Sequence, residues 1–213
     1  MNWIKPTKKQ TQAEENWNVI SHVLGIIIGI IGLVLMVLKS DGNALKLFSS
    51  LVFGISFILL FLASSLYHVA KNPGVKKKLR VLDHASIFLL IAGTYTPITL
   101  LVLGKPIGWV FFGIEWTLAF LGILLKLKFT GRYEKISLFI YLLMGWLIVF
   151  DFSELLEKLP LEGIQYIIYG GLSYTIGVIF YSLKRVYFSH VIWHFFVLAG
   201  SAFNFWFVYA YVL

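Results

Sequence analysis

The sequence predicts an all-α, polytopic membrane protein: a seven-transmembrane helix bundle with a cytoplasmic N-terminus and an extracellular C-terminus. Three observations point there. Hydrophobic residues make up 59% of the 213-residue chain and charged residues only 13%, about half of the roughly 25% found in soluble domains. Mean hydropathy is +0.86. The apolar residues also fall into seven runs of about twenty residues, long enough to cross a hydrocarbon core of roughly 30 Å. Runs of that length favour helices over a barrel, whose strands would alternate over roughly ten residues between turns.

The runs lie at about 19–38, 44–70, 82–103, 107–126, 135–151, 163–183 and 190–212. The first follows a polar stretch with Lys5, Lys8 and Lys9, a pattern that signal peptides share. Its apolar run is too long for one, and no small-residue cleavage site precedes Lys39 and Asp41, so a retained helix is expected. In the third run, within Thr94-Tyr95-Thr96-Pro97, Pro97 should kink the helix, with nearby hydroxyls helping to satisfy the carbonyl it frees. The fourth run carries Glu115, expected to be a protonated or hydrogen-bonded structural residue rather than a ligand, with a place on a proton or substrate pathway as the lesser alternative. The fifth is the shortest. Asn204 in the seventh is expected to form an interhelical hydrogen bond. Trp3, Trp17, Trp109 and Trp146 fall near predicted boundaries, where indoles anchor spans at the interface. No internal repeat and no long linker divides the chain, so one domain over 1–213 is expected.

Orientation follows from the basic residues. With the N-terminus inside, the cytoplasmic side holds Lys5, Lys8, Lys9, Lys71, Lys76, Lys77, Lys78, Arg80, Lys126, Lys128, Arg132, Lys135, Lys184 and Arg185. The outer side keeps Lys39, Lys46, Lys105 and Lys158. Fourteen against four is a marked positive-inside asymmetry. Topology and contact with anionic lipid then account for the net charge of +8, and no nucleic-acid partner is expected.

Cysteine is absent. Disulfides, thiolate metal sites and cysteine nucleophiles are thereby excluded, and any metal must be held by His, Asp, Glu or backbone. All five histidines (His22, His68, His84, His190 and His194) fall within a turn or two of the predicted cytoplasmic boundary, and so does Asp83. His190 and His194 are four apart, which stacks both imidazoles on one helix face. Ser64 and His68 share that spacing. Three imidazoles with a fourth position open to water form a recurrent catalytic zinc arrangement, and His68, His190 and His194 can supply it. Asp83 can then act as base toward the metal-activated water, and Ser64 can orient a ligand or a substrate carbonyl. Simpler roles stand beside these: interfacial histidines, an Asp83 that neutralises the Lys76–Arg80 cluster or the helix dipole, and a Ser64 that packs between helices. Convergence of these groups at one depth favours a shared site, because an ionisable group inside a span ordinarily faces a cavity or a partner.

Four segments carry a resemblance to a known family: Glu14-Glu15-Asn16-Trp17-Asn18-Val19-Ile20-Ser21-His22; Ser64-Ser65-Leu66-Tyr67-His68; Leu82-Asp83-His84-Ala85-Ser86-Ile87-Phe88 running on to Gly93-Thr94-Tyr95-Thr96-Pro97; and His190-Val191-Ile192-Trp193-His194. In this order and topology they resemble the bacterial hemolysin III proteins, within the progestin and adipoQ receptor family, over essentially the whole chain. The resemblance implies a zinc ion held by His68, His190 and His194, with Asp83 near the metal-bound water and Ser64 in the same site. It also implies an inward N-terminus, a link through receptor members and alkaline ceramidases to lipid amide hydrolysis, and an association with membrane lipid homeostasis. Glu15, Asn18 and His22 match a bacterial N-terminal motif to which the resemblance attaches no role; they can cap and position helix 1 beside the site. Two functions of different class follow. One is an intramembrane zinc hydrolase acting on a lipid amide or ester; the other is a membrane sensor or regulator whose zinc is structural. A pore-forming hemolysin fits less well, since only Glu115 interrupts the deep apolar face.

Overall fold

The computed structural model describes residues 10–183 and 185–213. Trp3, Lys5, Lys8, Lys9 and Lys184 lie outside the described residues. Among the described residues, eight α-helices follow in order: α1 (Gln12–Lys39), α2 (Ala44–Val69), α3 (Pro73–Pro97), α4 (Ile107–Phe129), α5 (Glu134–Gly145), α6 (Phe152–Lys158), α7 (Leu161–Ser182) and α8 (Ser189–Phe207). There is no strand among the described residues. Among the described residues, seven spans are long and apolar enough to cross a membrane: Gln12–Lys39, Ala44–Val69, Pro73–Val102, Ile107–Phe129, Glu134–Lys158, Leu161–Ser182 and Ser189–Val212. The protein is an all-helical, multi-pass membrane protein.

Three boundaries depart from the apolar runs, each for a local reason. Helix α1 starts at Gln12 rather than near 19, because Thr11 and Glu14 form a capping box around its first turn. Helix α3 starts at Pro73, well before the apolar run. Asn72 caps it through Oδ1, which accepts from the amides of Gly74 (2.9 Å) and Val75 (3.2 Å), and Pro73 takes the first turn. The Lys76–Arg80 stretch that follows is basic and helix-favouring, so hydropathy alone reads it as a loop. The fifth span breaks at Trp146 into α5, a 3-10 turn (Leu147–Asp151) and α6, so much of the acidic 151–162 stretch is helical.

Pro97 ends the regular part of α3, and a π-turn (Ile98–Val102) continues the span. The neighbouring hydroxyls bond other carbonyls than the one Pro97 frees: Thr94 Oγ1 donates to Leu90 O, Thr96 Oγ1 to Ala92 O and Thr99 Oγ1 to Tyr95 O, at 2.8, 2.9 and 2.9 Å. Asn204 donates within its own helix, to Gly200 O at 2.9 Å, packs its amide on Gly170 of α7, and also makes the expected interhelical contact, a side-chain hydrogen bond with Tyr174 of α7.

The bundle closes by neighbours: α1 packs on α2 and α8, α2 on α3, α3 on α4 and α5, and α7 on α8. The third span is central, buried over 72% of its most apolar stretch against 17% for the fifth. Side chains are distributed for a lipid solvent. Helix α1 turns Ile20, Val23, Ile27, Ile30, Ile31 and Val34 outward, while Asn18, Ser21, His22, Gly25, Gly29 and Gly32 face inward. Without a hydrophobic force between spans, close contact of small residues is what holds helices together. Gly25 and Gly29 show it directly: a Cβ there would lie 2.4 Å from the Phe61 ring and 2.7 Å from that of Phe57. This close approach of α1 to α2 carries the polar groups of both helices into reach of one another.

Gly25→Leu should therefore displace Phe61 and destabilise the bundle by about 1–3 kcal/mol. Thermal unfolding in detergent would report this as a lower midpoint than that of the parent.

Candidate metal centre

The site begins at the first two turns of α1. The capping box is made by Glu14 N donating to Thr11 Oγ1 at 3.2 Å and Thr11 N donating to Glu14 Oε2 at 2.7 Å. The other carboxyl oxygen of Glu14 accepts from Phe188 N at 2.8 Å, tying α1 to the turn that opens α8. With the helix start set, Glu15, Asn18 and His22 recur at three- and four-residue spacing and share one face. That face meets Ser64 and His68 of α2, and His190 and His194 of α8.

His22, His68 and His194 are all buried. Each offers one ring nitrogen, and these nitrogens lie within 4.8 Å of one another. Ring centroids are 4.0 Å apart for His22–His194, 5.0 Å for His68–His194 and 6.1 Å for His22–His68. His22 Nδ1, His68 Nε2 and His194 Nδ1 are buried without a hydrogen-bond partner. Leaving one buried polar atom unpaired costs about 1–3 kcal/mol. Each of the three imidazoles, from three helices, thus keeps an unpartnered nitrogen, and together they form a cluster that could hold a metal ion.

The second nitrogens of His68 and His22 are occupied. His68 Nδ1 meets Glu15 Oε2 at 2.6 Å and Asn18 Nδ2 at 3.3 Å. Glu15 Oε1 accepts from Lys76 Nζ at 2.7 Å, so α1, α2 and α3 share one carboxylate. A carboxylate on one imidazole nitrogen fixes the tautomer and aims the other nitrogen as a ligand, the usual outer support of a metal-binding histidine. His22 Nε2 lies 3.0 Å from Ser64 Oγ, which gives Ser64 a defined polar partner in place of simple packing.

Of the residues expected in the site, His68 and His194 belong to the trio. His190 is half-buried beside it, its ring 4.4 Å from that of His194 and 5.4 Å from that of His68. Asp83 and Ser64 line a chamber of about 50 Å³ together with His22, His190, His194 and Lys126. The carboxyl of Asp83 interacts there with the Ser64 hydroxyl and faces His68 and Arg80. Arg80 in turn pairs with Glu134 of α5. A second cavity of about 100 Å³ lies deeper, lined by apolar side chains of α3, α5, α7 and α8. Leu60, Ile87, Tyr141, Trp193 and Val197 border both, so the polar chamber adjoins the apolar one. Glu115 lines neither.

His22 and Glu15 are the groups to which the sequence attached no chemistry. Their signal was present: both sit at the depth of the other histidines and on one helix face, with Asn18 between them. What the spacing lacked was the partner, because only folding sets that face against α2.

Taken together, fold and site define a seven-span integral membrane protein with a cluster of buried, converging imidazoles at one end of the bundle. The chain belongs to the hemolysin III family, matching the family described as Haemolysin-III related over residues 10–205. It is 42% identical over 202 residues to Hemolysin-3 of Bacillus cereus, covering 94% of this chain and 92% of that protein. Identity to the Hemolysin-3 homolog of Bacillus subtilis (strain 168) is 40% over 194 residues, covering 90% and 91%. A more distant relative is the Monocyte to macrophage differentiation factor of Homo sapiens, 28% identical over 216 residues, covering 96% of this chain and 87% of that one.

Glu15→Gln preserves shape but removes the charge that orients His68. Affinity for added divalent zinc or cobalt should fall about 10- to 100-fold, as measured by competition with a chromophoric chelator. An unchanged affinity would mean that Glu15 does not support the site.

Proposed function

We propose that this protein is an intramembrane zinc hydrolase acting on a lipid amide or ester. The observation that carries the proposal is the cluster of His22, His68 and His194 beside a chamber that His22, His194, Asp83 and Ser64 line and that adjoins an apolar cavity. The donor set suits zinc: neutral imidazoles without thiolates, with a carboxylate behind one of them. His22, His68 and His194 would hold the ion, with His190 adjoining as a fourth imidazole; the family resemblance draws its set as His68, His190 and His194. When bound, zinc supplies Lewis acidity and lowers the pKa of a bound water toward about 7.

The remaining work falls to the chain. Asp83 takes up a proton from the attacking water and returns it to the leaving group, as a general base and then a general acid. The Ser64 hydroxyl, held by His22, orients the scissile carbonyl. The chamber takes the polar linkage of the substrate, and the adjoining apolar cavity takes its acyl chain. Packed helices around the chamber exclude bulk water and strengthen each of these interactions. The lining of the deep cavity suits a hydrocarbon chain better than an aqueous pore. The basic residues near the histidine end support a cytoplasmic location for it, where anionic lipid concentrates cations.

A second role rests on a separate observation: the three imidazoles come from α1, α2 and α8. An ion shared by them would staple three helices whether or not turnover follows, as a zinc-stabilised sensor or regulator of membrane lipids requires.

Detergent-purified protein should contain about one zinc per chain by elemental mass spectrometry, and His68→Ala/His194→Ala should lose it. Asp83→Asn should retain the metal yet abolish turnover of a lipid amide or ester that the parent hydrolyses. Full turnover by metal-replete Asp83→Asn would remove Asp83 from the reaction. Metal retained by both proteins without any turnover would leave the stapling role.

A further inference from the structure

Far from the histidine layer, α4 carries a second buried ionisable group that the metal site does not use. The inward stripe of α4 is Gly108, Phe111, Glu115, Ala119, Gly122 and Lys126. Lys126 borders the chamber, and Glu115 lies eleven residues back, about 16 Å along the helix at 1.5 Å per residue. Glu115 is 0% exposed. Both of its carboxyl oxygens are buried with no hydrogen-bond partner. Contact with the third span is tight on either side: a Cβ on Gly108 would lie 2.1 Å from Thr99 O in the π-turn, and one on Gly122 would lie 2.3 Å from the Phe88 ring in α3.

The donors near this stretch are committed elsewhere. Trp116 Nε1 donates to Thr96 Oγ1 at 3.1 Å, and the Thr96 and Thr99 hydroxyls donate to carbonyls of their own helix. Tyr95 Oη donates to Gly145 O and accepts from Ile148 N, both at 3.0 Å. Tyr95, on α3, is the titratable group that feels Glu115, and among the described residues no charged group of α3, α4 or α5 acts on it. One backbone acceptor of the third span, by contrast, is left over. Pro97 lacks the N–H that would pair with the carbonyl of Gly93, and the π-turn that follows it packs against α4. Such turns recur at functional positions in helices.

An ionised carboxylate here would have neither donor nor countercharge inside a membrane span, a state that costs several kcal/mol. A protonated carboxyl is neutral and escapes that cost. We propose that Glu115 is a proton-binding site in the membrane interior, occupied by a proton at neutral pH and separate from the histidine cluster. Releasing that proton requires water or a cation to reach the α3–α4 interface, so ionisation of Glu115 is linked to separation of these helices at the π-turn. The ligand is the proton itself.

Infrared spectra of the full-length protein in lipid nanodiscs at neutral pH, compared with Glu115→Gln, test this. The parent should show a protonated-carboxyl C=O band that shifts in deuterated water, and the variant should lack one carboxyl's worth of it. Because glutamine is neutral and nearly isosteric with the protonated acid, the variant should also fold with an unchanged or higher thermal midpoint. Identical carboxyl bands in the two proteins would mean that Glu115 is ionised and would overturn the proposal. A variant that fails to fold would overturn it equally, since a neutral side chain would then not satisfy the site. Both readouts are independent of metal and turnover, so their failure is distinguishable from failure of the hydrolase.

Discussion

The contact between Glu15 and His68 is the interaction on which the described site depends. At 2.6 Å it joins the first turns of α1 to the last turn of α2, and through Lys76 the same carboxylate reaches α3. Its neighbour Glu14 points in another direction, because adjacent helical residues are about 100° apart, and bonds the turn before α8. Two consecutive acidic residues thus tie three other helices to α1. Such contacts are worth more beside a membrane than on a wet surface, since desolvated polar groups have few other partners.

Packing serves the same end. Lipid gives apolar side chains no reason to turn inward, so α1 presents isoleucines and valines to the outside and glycines, serine, asparagine and histidine to its neighbours. The phenylalanines of α2 fill the glycine side of α1, and the backbones approach until His22 reaches Ser64. Tight small-residue packing and a polar cluster are therefore two parts of one interface: the first sets the separation at which the second can form.

Along the bundle, polarity is graded. The imidazoles and the Glu15–Lys76 and Arg80–Glu134 pairs occupy one end, a small polar chamber follows, and an apolar cavity lies beneath it. An amphipathic molecule whose polar linkage and hydrocarbon tail sit at matching depths complements that gradient. Glu115 interrupts the apolar half without belonging to either cavity, so its chemistry has to be explained apart from the chamber.

Much of this was legible in the linear chain. Length and apolarity of the seven runs decide that they span a membrane, because hydrocarbon admits only backbones that satisfy themselves. Alternation of direction then brings all five histidines to one end, which follows from counting spans. The family was legible too, from four short motifs in order. Helix starts were not read where caps and basic residues extend α1 and α3 beyond the apolar stretch, since hydropathy does not register a hydrogen bond from Asn72 or Thr11. Nor did spacing reveal that His22 joins His68 and His194, or that Glu15 supports His68. Periodicity assigns a residue to a face, but the rotation of that face toward a neighbour is set by contacts far apart in sequence, here the closure of α1 on α2 and α8. The sequence by itself determined the solvent, the spans and the depth of each ionisable group; tertiary structure decided which of those groups touch.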